Sequence, residues 1–223
     1  MDNRTEVRAR FSKEDRAVYI SHLDLLRTMQ RAIKRSGIPV WYSEGFNPRI
    51  YLNFPLPLSL GISSGCEAMD FYTVEDISFD EIKDRLNAAL PVGIRIVDVY
   101  SSKDTNKDIK GAEYIISFGC GAENALDMFN TFMSAEHVEI YRKNKKKEIV
   151  SVDIKPFVTI LSAEEKDGNA VIGCRLPAGN DMTVNPLAMM DSFAEKCAEK
   201  AVNIENLYIK RTKILCDDNR EFV

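Results

Sequence analysis

Cysteine is sparse in this 223-residue sequence, and what there is does not cluster. The five cysteines stand at positions 66, 120, 174, 197 and 216, with no pair closer than 19 residues. An odd count without close spacing argues against a disulfide framework, and the lack of C-x-x-C removes the usual local sign of a zinc or iron–sulfur site. Histidine is rarer. His22 and His137 are too few for a histidine-rich centre, and no H-E-x-x-H or E-x-x-H marks a carboxylate one. No metal site is therefore assigned. A phosphate-cradling G-x-x-x-x-G-K-[ST] and a G-x-G-x-x-G after a strand are missing too, which disfavours most familiar nucleotide enzymes. Long apolar runs are absent: none approaches the roughly 18 residues a membrane span needs. Met1-Asp2-Asn3-Arg4 leads straight into an alternating segment with no apolar signal region, so the expected setting is cytoplasmic, away from membranes.

What is present is material for a core. Hydrophobic residues make up 45% and charged residues 29%, a soluble globular balance. At roughly 100–200 residues per domain, the length allows one domain or two small ones. Charge is uneven. Residues 1–62 carry ten Arg/Lys against six Asp/Glu, whereas residues 63–223 carry twenty against twenty-eight. The net charge of −4 does not bar nucleic-acid binding, because local fields govern encounter.

The element pattern runs twice. Glu6–Phe11, resuming at Ala17–Ile20, reads as a strand or hairpin. Ser21-His22-Leu23-Asp24 then opens a helix as a capping box, and Gly37 with Pro39 closes it. Pro39–Tyr42 and Ile50–Phe54 read as short strands, Pro55 to Gly65 as a loop, and Glu67–Val74 as a strand. Helix Phe79–Leu90 and strand Ile94–Tyr100 complete a β-α-β-β-α-β order. A polar linker, Ser101–Gly111, precedes the second pass. That pass runs through strand Glu113–Phe118, helix Asn124–Ser134, two hairpins, helix Pro186–Ala201 and strand Leu207–Leu215, with Asn185 as a cap. The expected fold class is α+β: two tandem ferredoxin-like halves, 4–102 and 110–217, the second with an extra β-hairpin.

The first helix separates its chemistry by face. Leu25, Leu26, Met29, Ala32 and Ile33 gather on one side. Arg27, Arg31, Lys34 and Arg35 gather opposite, with Asp24 the one acid. A solvated helix surface accounts for this, and so does a phosphate-contacting stripe, for which the planar guanidinium fork is suited. His22 lies in the first turn on the apolar side, either as a core histidine or as a general acid/base. The next segment, Tyr42-Ser43-Glu44-Gly45-Phe46-Asn47-Pro48-Arg49, joins an aromatic, a turn and a cation. Ser63, Ser64 and Gly65 end the Pro/Ser-rich loop and offer amides and hydroxyls to an anion, or simply pack under the sheet. Trp41, Tyr42, Phe46, Tyr51 and Tyr72 supply core mass or stacking surface. The turn from Arg142 to Lys147, including Lys145 and Lys146, is a solvated hairpin tip or an arm for an acidic backbone.

The run from Ser21-His22-Leu23-Asp24 through Arg31-Ala32, Arg35-Ser36-Gly37-Ile38-Pro39, Ser43-Glu44-Gly45-Phe46-Asn47-Pro48-Arg49 and Pro55-Leu56-Pro57-Leu58 resembles the bacterial radical-SAM-linked family, a domain of unknown function. The resemblance covers about Val7–Asp70. It implies a partner, a radical SAM protein, fused or separate, that holds the iron–sulfur cluster and S-adenosylmethionine; no cofactor is expected in this chain. More distantly the same block resembles the RAMP-type CRISPR repeat-processing endoribonucleases. That likeness implies tandem ferredoxin-like RNA binders, some with a histidine near the first helix for metal-free cleavage, and His22 is the matching position. The sequence departs from that pattern at Tyr208–Val223, which has no glycine-rich loop.

Two functions are expected from these readings. One is a non-catalytic accessory module binding tRNA or rRNA, or docking the partner enzyme. There Arg27, Arg31, Lys34, Arg35 and Arg49 hold phosphates, Lys145 and Lys146 add charge, and Phe46 contacts bases. The other is a metal-independent endoribonuclease using His22.

Overall fold

The computed structural model describes residues 4–121, 123–143, 146–179 and 182–223. The chain divides into two units, Met1–Ile109 with Glu221–Val223, and Lys110–Arg220. The architecture is mixed α+β, and the described strand pairings within each unit are antiparallel.

In the first unit, β1 (Thr5–Lys13) lies between β2 (Ser63–Thr73) and β3 (Ile94–Tyr100). Successive side chains on a strand point to opposite faces. Val7, Ala9 and Phe11 therefore share one face, and all three are buried. They join Met69, Phe71, Ile96 and Val99 from the neighbouring strands. Helices α1 (His22–Ser36) and α2 (Phe79–Ala89) complete that core with Leu25, Met29, Ile33, Ile82 and Leu86. Each large side chain contributes about 1.5–3 kcal/mol on burial.

The opposite face of β1 holds an ion pair. Arg8 and Asp70 stand directly across from each other in the β1–β2 register. Arg8 Nε donates to Asp70 Oδ1 at 2.6 Å and Nη2 to Oδ2 at 2.9 Å, both side chains buried. The Arg8 guanidinium also lies 4.2 Å from the centre of the Phe222 ring.

Helix α1 begins as its sequence dictates. Ser21 Oγ accepts from the Asp24 amide at 3.2 Å and donates to the Asp24 carboxylate at 2.7 Å. Gly37, at φ +68°, ends it in the left-handed region that glycine tolerates. Two neighbouring stretches depart from the sequence expectation. Asp15–Tyr19 is a 3-10 turn, not a resumed strand. It packs against Gly93, where a Cβ would meet Glu14 O at 2.8 Å. Pro39–Tyr42 and Ile50–Phe54 make only isolated bridges: Val40 with Thr73, Tyr42 with Ile50, and Asn53 with Asp70. Pro39, Pro48, Pro55 and Pro57 withhold amide donors along this stretch, so no ladder extends.

In the second unit, β4 (Gly111–Gly119) lies between β8 (Asn169–Pro177) and β9 (Glu205–Leu215), and β7 (Thr159–Lys166) pairs with β8. A separate ribbon joins β5 (Glu139–Lys143) to β6 (Ile149–Asp153). Helices α3 (Ala125–Ser134) and α4 (Pro186–Ala198) contribute Phe129 and Phe193, which meet Phe118 of β4 at centroid distances of 5.8 and 5.2 Å. Asn185 caps α4 by accepting from the Leu187 amide at 3.1 Å, with Pro186 at the first helical position. All five cysteines are buried free thiols. Among the described residues, no helix is long and apolar enough to cross a membrane.

Candidate nucleic-acid interface

The helix periodicity that buries Leu25, Met29 and Ile33 puts Arg27, Arg31 and Lys34, one turn apart from each other, along the exposed side of α1. The segment after the helix brings a fourth cation to them. Past Gly37 the chain folds back through a closed loop. Ser43 N donates to Arg49 O at 2.8 Å, Arg49 N donates to Ser43 Oγ at 3.1 Å, and Gly45 turns at φ +125°. Gln30 of α1 then fastens the returning chain to the helix, its Nε2 donating to Ile50 O at 3.1 Å.

The product is an open groove of about 220 Å³ walled by Arg27, Arg31, Lys34, Arg49, Tyr42 and Pro48. Arg27 has a partner, Asp24 Oδ1 at 3.4 Å, but both side chains are more than half exposed and such a pair is weak. Among the described residues, no carboxylate lies within ion-pair distance of Arg31, Lys34 or Arg49. Like charges gathered without counter-charge repel one another, and an incoming polyanion relieves that repulsion.

The remaining candidate residues lie elsewhere. Arg35 turns away from the groove; its Nη2 donates to Ala89 O at 2.6 Å and caps the end of α2. Its job is to join two helices. Phe46 is fully exposed at the loop tip and does not line the groove. His22 is exposed, not inward, with its ring edge-on to Phe54 at 5.3 Å. It has no hydrogen-bond partner among the described residues and does not line the cationic groove. Lys146 is an exposed turn residue of the second unit, and Lys145 lies outside the described residues.

Ser63, Ser64 and Gly65 require a correction. They are not a loop but the first residues of β2, and Ser63 and Ser64 are buried. Ser64 Oγ accepts from the Cys66 amide at 3.2 Å, so its hydrogen-bonding capacity is turned inward. Gly61-Ile62-Ser63-Ser64-Gly65 also spells G-x-S-x-G. The serine opens a strand, however, rather than turning from strand to helix as a nucleophile elbow does.

Other chemistry finds little footing. Burial pushes the Cys120 thiol up to about 11 and the Cys174 thiol up to about 12, far from thiolate reactivity. No three His, Cys, Asp or Glu side chains among the described residues group to hold a metal ion. His137 is tied to Asp153, Nδ1 to Oδ2 at 2.9 Å. That bond, with the Val138 and Lys155 amides, holds Asp153 below the usual carboxylate range.

The sequence pointed to the cations but not to Gln30, whose bond to a carbonyl twenty residues away sets the groove's second wall. An amide side chain on a helix surface carries no signal of such a contact.

The family described as "Uncharacterized protein conserved in bacteria (DUF2344)" matches the chain over residues 6–186. No curated protein matches the sequence. Among solved structures, a chain of the structure described as "Crystal Structure of a Cbf5-Nop10-Gar1 Complex" is similar with a TM-score of 0.50 at 9% identity. The match covers 95% of this chain and 50% of that one, so this protein spans half the length of its structural neighbour. At that identity the likeness concerns the fold alone. An unknown protein from Galdieria sulphuraria aligns over 92% of this chain and 98% of its own, at 14% identity and a TM-score of 0.27.

Proposed function

We propose, for a chain that belongs to the DUF2344 family of uncharacterized bacterial proteins, that the first unit binds RNA through the groove between α1 and the loop 43–49. The observation that carries this reading is the convergence of Arg27, Arg31, Lys34 and Arg49 on one groove, three of them without a carboxylate among the described residues. Arginine forks suit phosphate oxygens, and Tyr42 at the same wall offers a ring.

On this reading the protein is a non-catalytic module that presents RNA, tRNA or rRNA, to a radical SAM partner; the partner holds the iron–sulfur cluster and S-adenosylmethionine. The halves are tandem ferredoxin-like units, the second with β5–β6 as its extra hairpin. Supporting this is the strand order β9-β4-β8-β7 in the second unit, and β3-β1-β2 with the 40–53 bridges beside β2 in the first. The distant likeness to RAMP-type ribonucleases is compatible with the same arrangement. The alternative, cleavage by His22, draws no support from a histidine that lies outside the cationic groove.

The test is a filter-binding assay of the purified chain with bulk cellular RNA, with and without EDTA. Retention of intact RNA is expected, weakening steeply with salt as counterions are released. Absence of RNA retention at low salt overturns the reading. RNA shortened in EDTA by the wild type but not by His22→Ala replaces it with the ribonuclease.

A further inference from the structure

Beside the cationic groove lies a second feature that charge alone does not explain. Trp41, Tyr51 and Tyr72 surround an open hollow of about 380 Å³, with Arg4 as its fourth wall. Trp41 is fixed to the sheet by its amide, which donates to Tyr72 O at 2.9 Å. The rings stand at angles rather than in a stack: Trp41 to Tyr72 at 6.2 Å and 88°, Trp41 to Tyr51 at 6.1 Å and 60°, Tyr51 to Tyr72 at 5.4 Å and 39°. The Arg4 guanidinium lies 4.5 Å from the Trp41 ring centre and 5.6 Å from that of Tyr72. None of the three aromatics is buried, and Tyr51 is 40% exposed. Aromatic clusters that serve a core exclude water; this one keeps a concave face open to solvent.

The hollow is not isolated. Tyr51 also lines a neighbouring concavity of about 340 Å³, together with Arg27, Gln30 and Arg49. Those three line the cationic groove as well. Shared walls thus place the three concavities side by side, from Lys34 and Arg31, past Arg49 and Tyr51, to Trp41.

We propose that the Trp41–Tyr51–Tyr72 hollow is a stacking subsite for an unpaired nucleobase, entered by a single strand whose phosphates lie in the cationic groove. The proposal rests on the RNA-binding reading and narrows it to single strands. A cationic ligand is opposed by Arg4 in the hollow and by Arg27 and Arg49 on the approach. Asp24, which pairs with Arg27, and Glu6, the cross-strand partner of Tyr72, temper this set. A duplex keeps its base faces stacked inside the helix, whereas a single strand presents a flat π face with each phosphate, which is what alternating cations and rings engage. Every base has such a face, so the subsite tolerates any sequence.

Trp41 is the sole tryptophan of the chain, so its fluorescence reports on this hollow directly. The experiment titrates the full chain with a mixed-sequence single-stranded RNA, an abasic strand of equal length and charge, and an RNA duplex. Mobility shift and Trp41 emission are followed in parallel. The single-stranded RNA is expected to quench Trp41; the abasic strand and the duplex shift the protein's mobility without quenching. Tyr51→Ala is expected to weaken single-strand binding about 5- to 100-fold, and Tyr51→Phe, which keeps the ring, to stay within about two-fold of wild type. If the single strand shifts the protein but leaves Trp41 emission unchanged, or if the abasic strand quenches equally, the subsite is wrong while the groove stands. If nothing shifts, the groove reading fails and the subsite with it.

Discussion

The two units each carry a hollow, and the contrast between them separates space from affinity for an anion. The second unit has the larger one, about 680 Å³, walled by α3, β5 and α4. Several of its polar groups are already answered from within. Lys196 Nζ sits 2.9 Å from Glu199 Oε1, His137 is bonded to Asp153, and the Ser192 hydroxyl donates to Glu139 O at 2.7 Å. Glu139, Glu195 and Glu199 share the walls with Lys196 and Lys200. The groove of the first unit is a third of that size, yet Arg31, Lys34 and Arg49 bring charge that no described carboxylate pairs with. Volume measures what fits; uncompensated charge decides which sign of ligand gains by entering.

The foundations of the two hollows differ in the same sense, and the largest expected effect lies there. Asp70 pairs with buried Arg8, and its backbone and carboxylate both bond Asn53, which ties the 40–53 stretch to β2. Asp70→Ala leaves Arg8 buried and unpaired, at an expected cost of about 3–5 kcal/mol in urea denaturation. Asp153→Ala, which removes the partner of His137 in the second hollow's wall, breaks bonds made at the surface and is expected to cost clearly less. Equal losses would contradict this difference between the units.

Arg31→Ala with Arg49→Ala is expected to weaken RNA retention at low salt about 10- to 100-fold. Lys196→Ala with Lys200→Ala, the same charge removed from the larger hollow, is expected to leave retention within two-fold.

A finer cut runs within α1 itself. Lys34 and Arg35 are consecutive, but only Lys34 faces the groove, while Arg35 caps α2. Arg35→Ala is expected to lower stability by about 0.5–1 kcal/mol and leave RNA binding unchanged. Loss of binding without loss of stability would return Arg35 to the interface.

The smallest effect is one of pH. The bond from His137, then the Val138 and Lys155 amides, hold Asp153 below the usual carboxylate range. A carboxylate whose folded pKa is depressed adds stability above its unfolded pKa, about 3.9, and that stability is lost as pH falls through the lower folded value. Asp153→Asn is therefore expected to flatten the acid limb of the stability profile below about pH 4. An unaltered limb contradicts this assignment.

What the sequence disclosed and what it withheld divide along range of contact. The caps at Ser21–Asp24 and Asn185–Pro186 and the stop at Gly37 are written within four residues, and the helices begin or end there. The cationic stripe on α1 comes from helix geometry alone. The Arg8–Asp70 pair joins residues 62 apart and leaves no local mark. Arg35 looks identical to Arg31 until α2 supplies a carbonyl, a contact across 54 residues. Ser63 and Ser64 read as loop by composition because burial and, for Ser64, pairing to Lys13 of β1, not polarity, decide their state. The 39–57 stretch shows the converse: β-forming side chains, but prolines at 39, 48, 55 and 57 that withhold ladder donors.

If the first unit binds RNA as proposed, the groove cations act together on a phosphate backbone. The most direct test is the slope of log affinity against log salt for single-stranded RNA, measured for the wild type and for Arg31→Ala/Arg49→Ala. With about four phosphates engaged, a wild-type slope of about −3 is expected, shallower by about 1.4 in the double variant. A slope unchanged by those two substitutions would contradict that joint action.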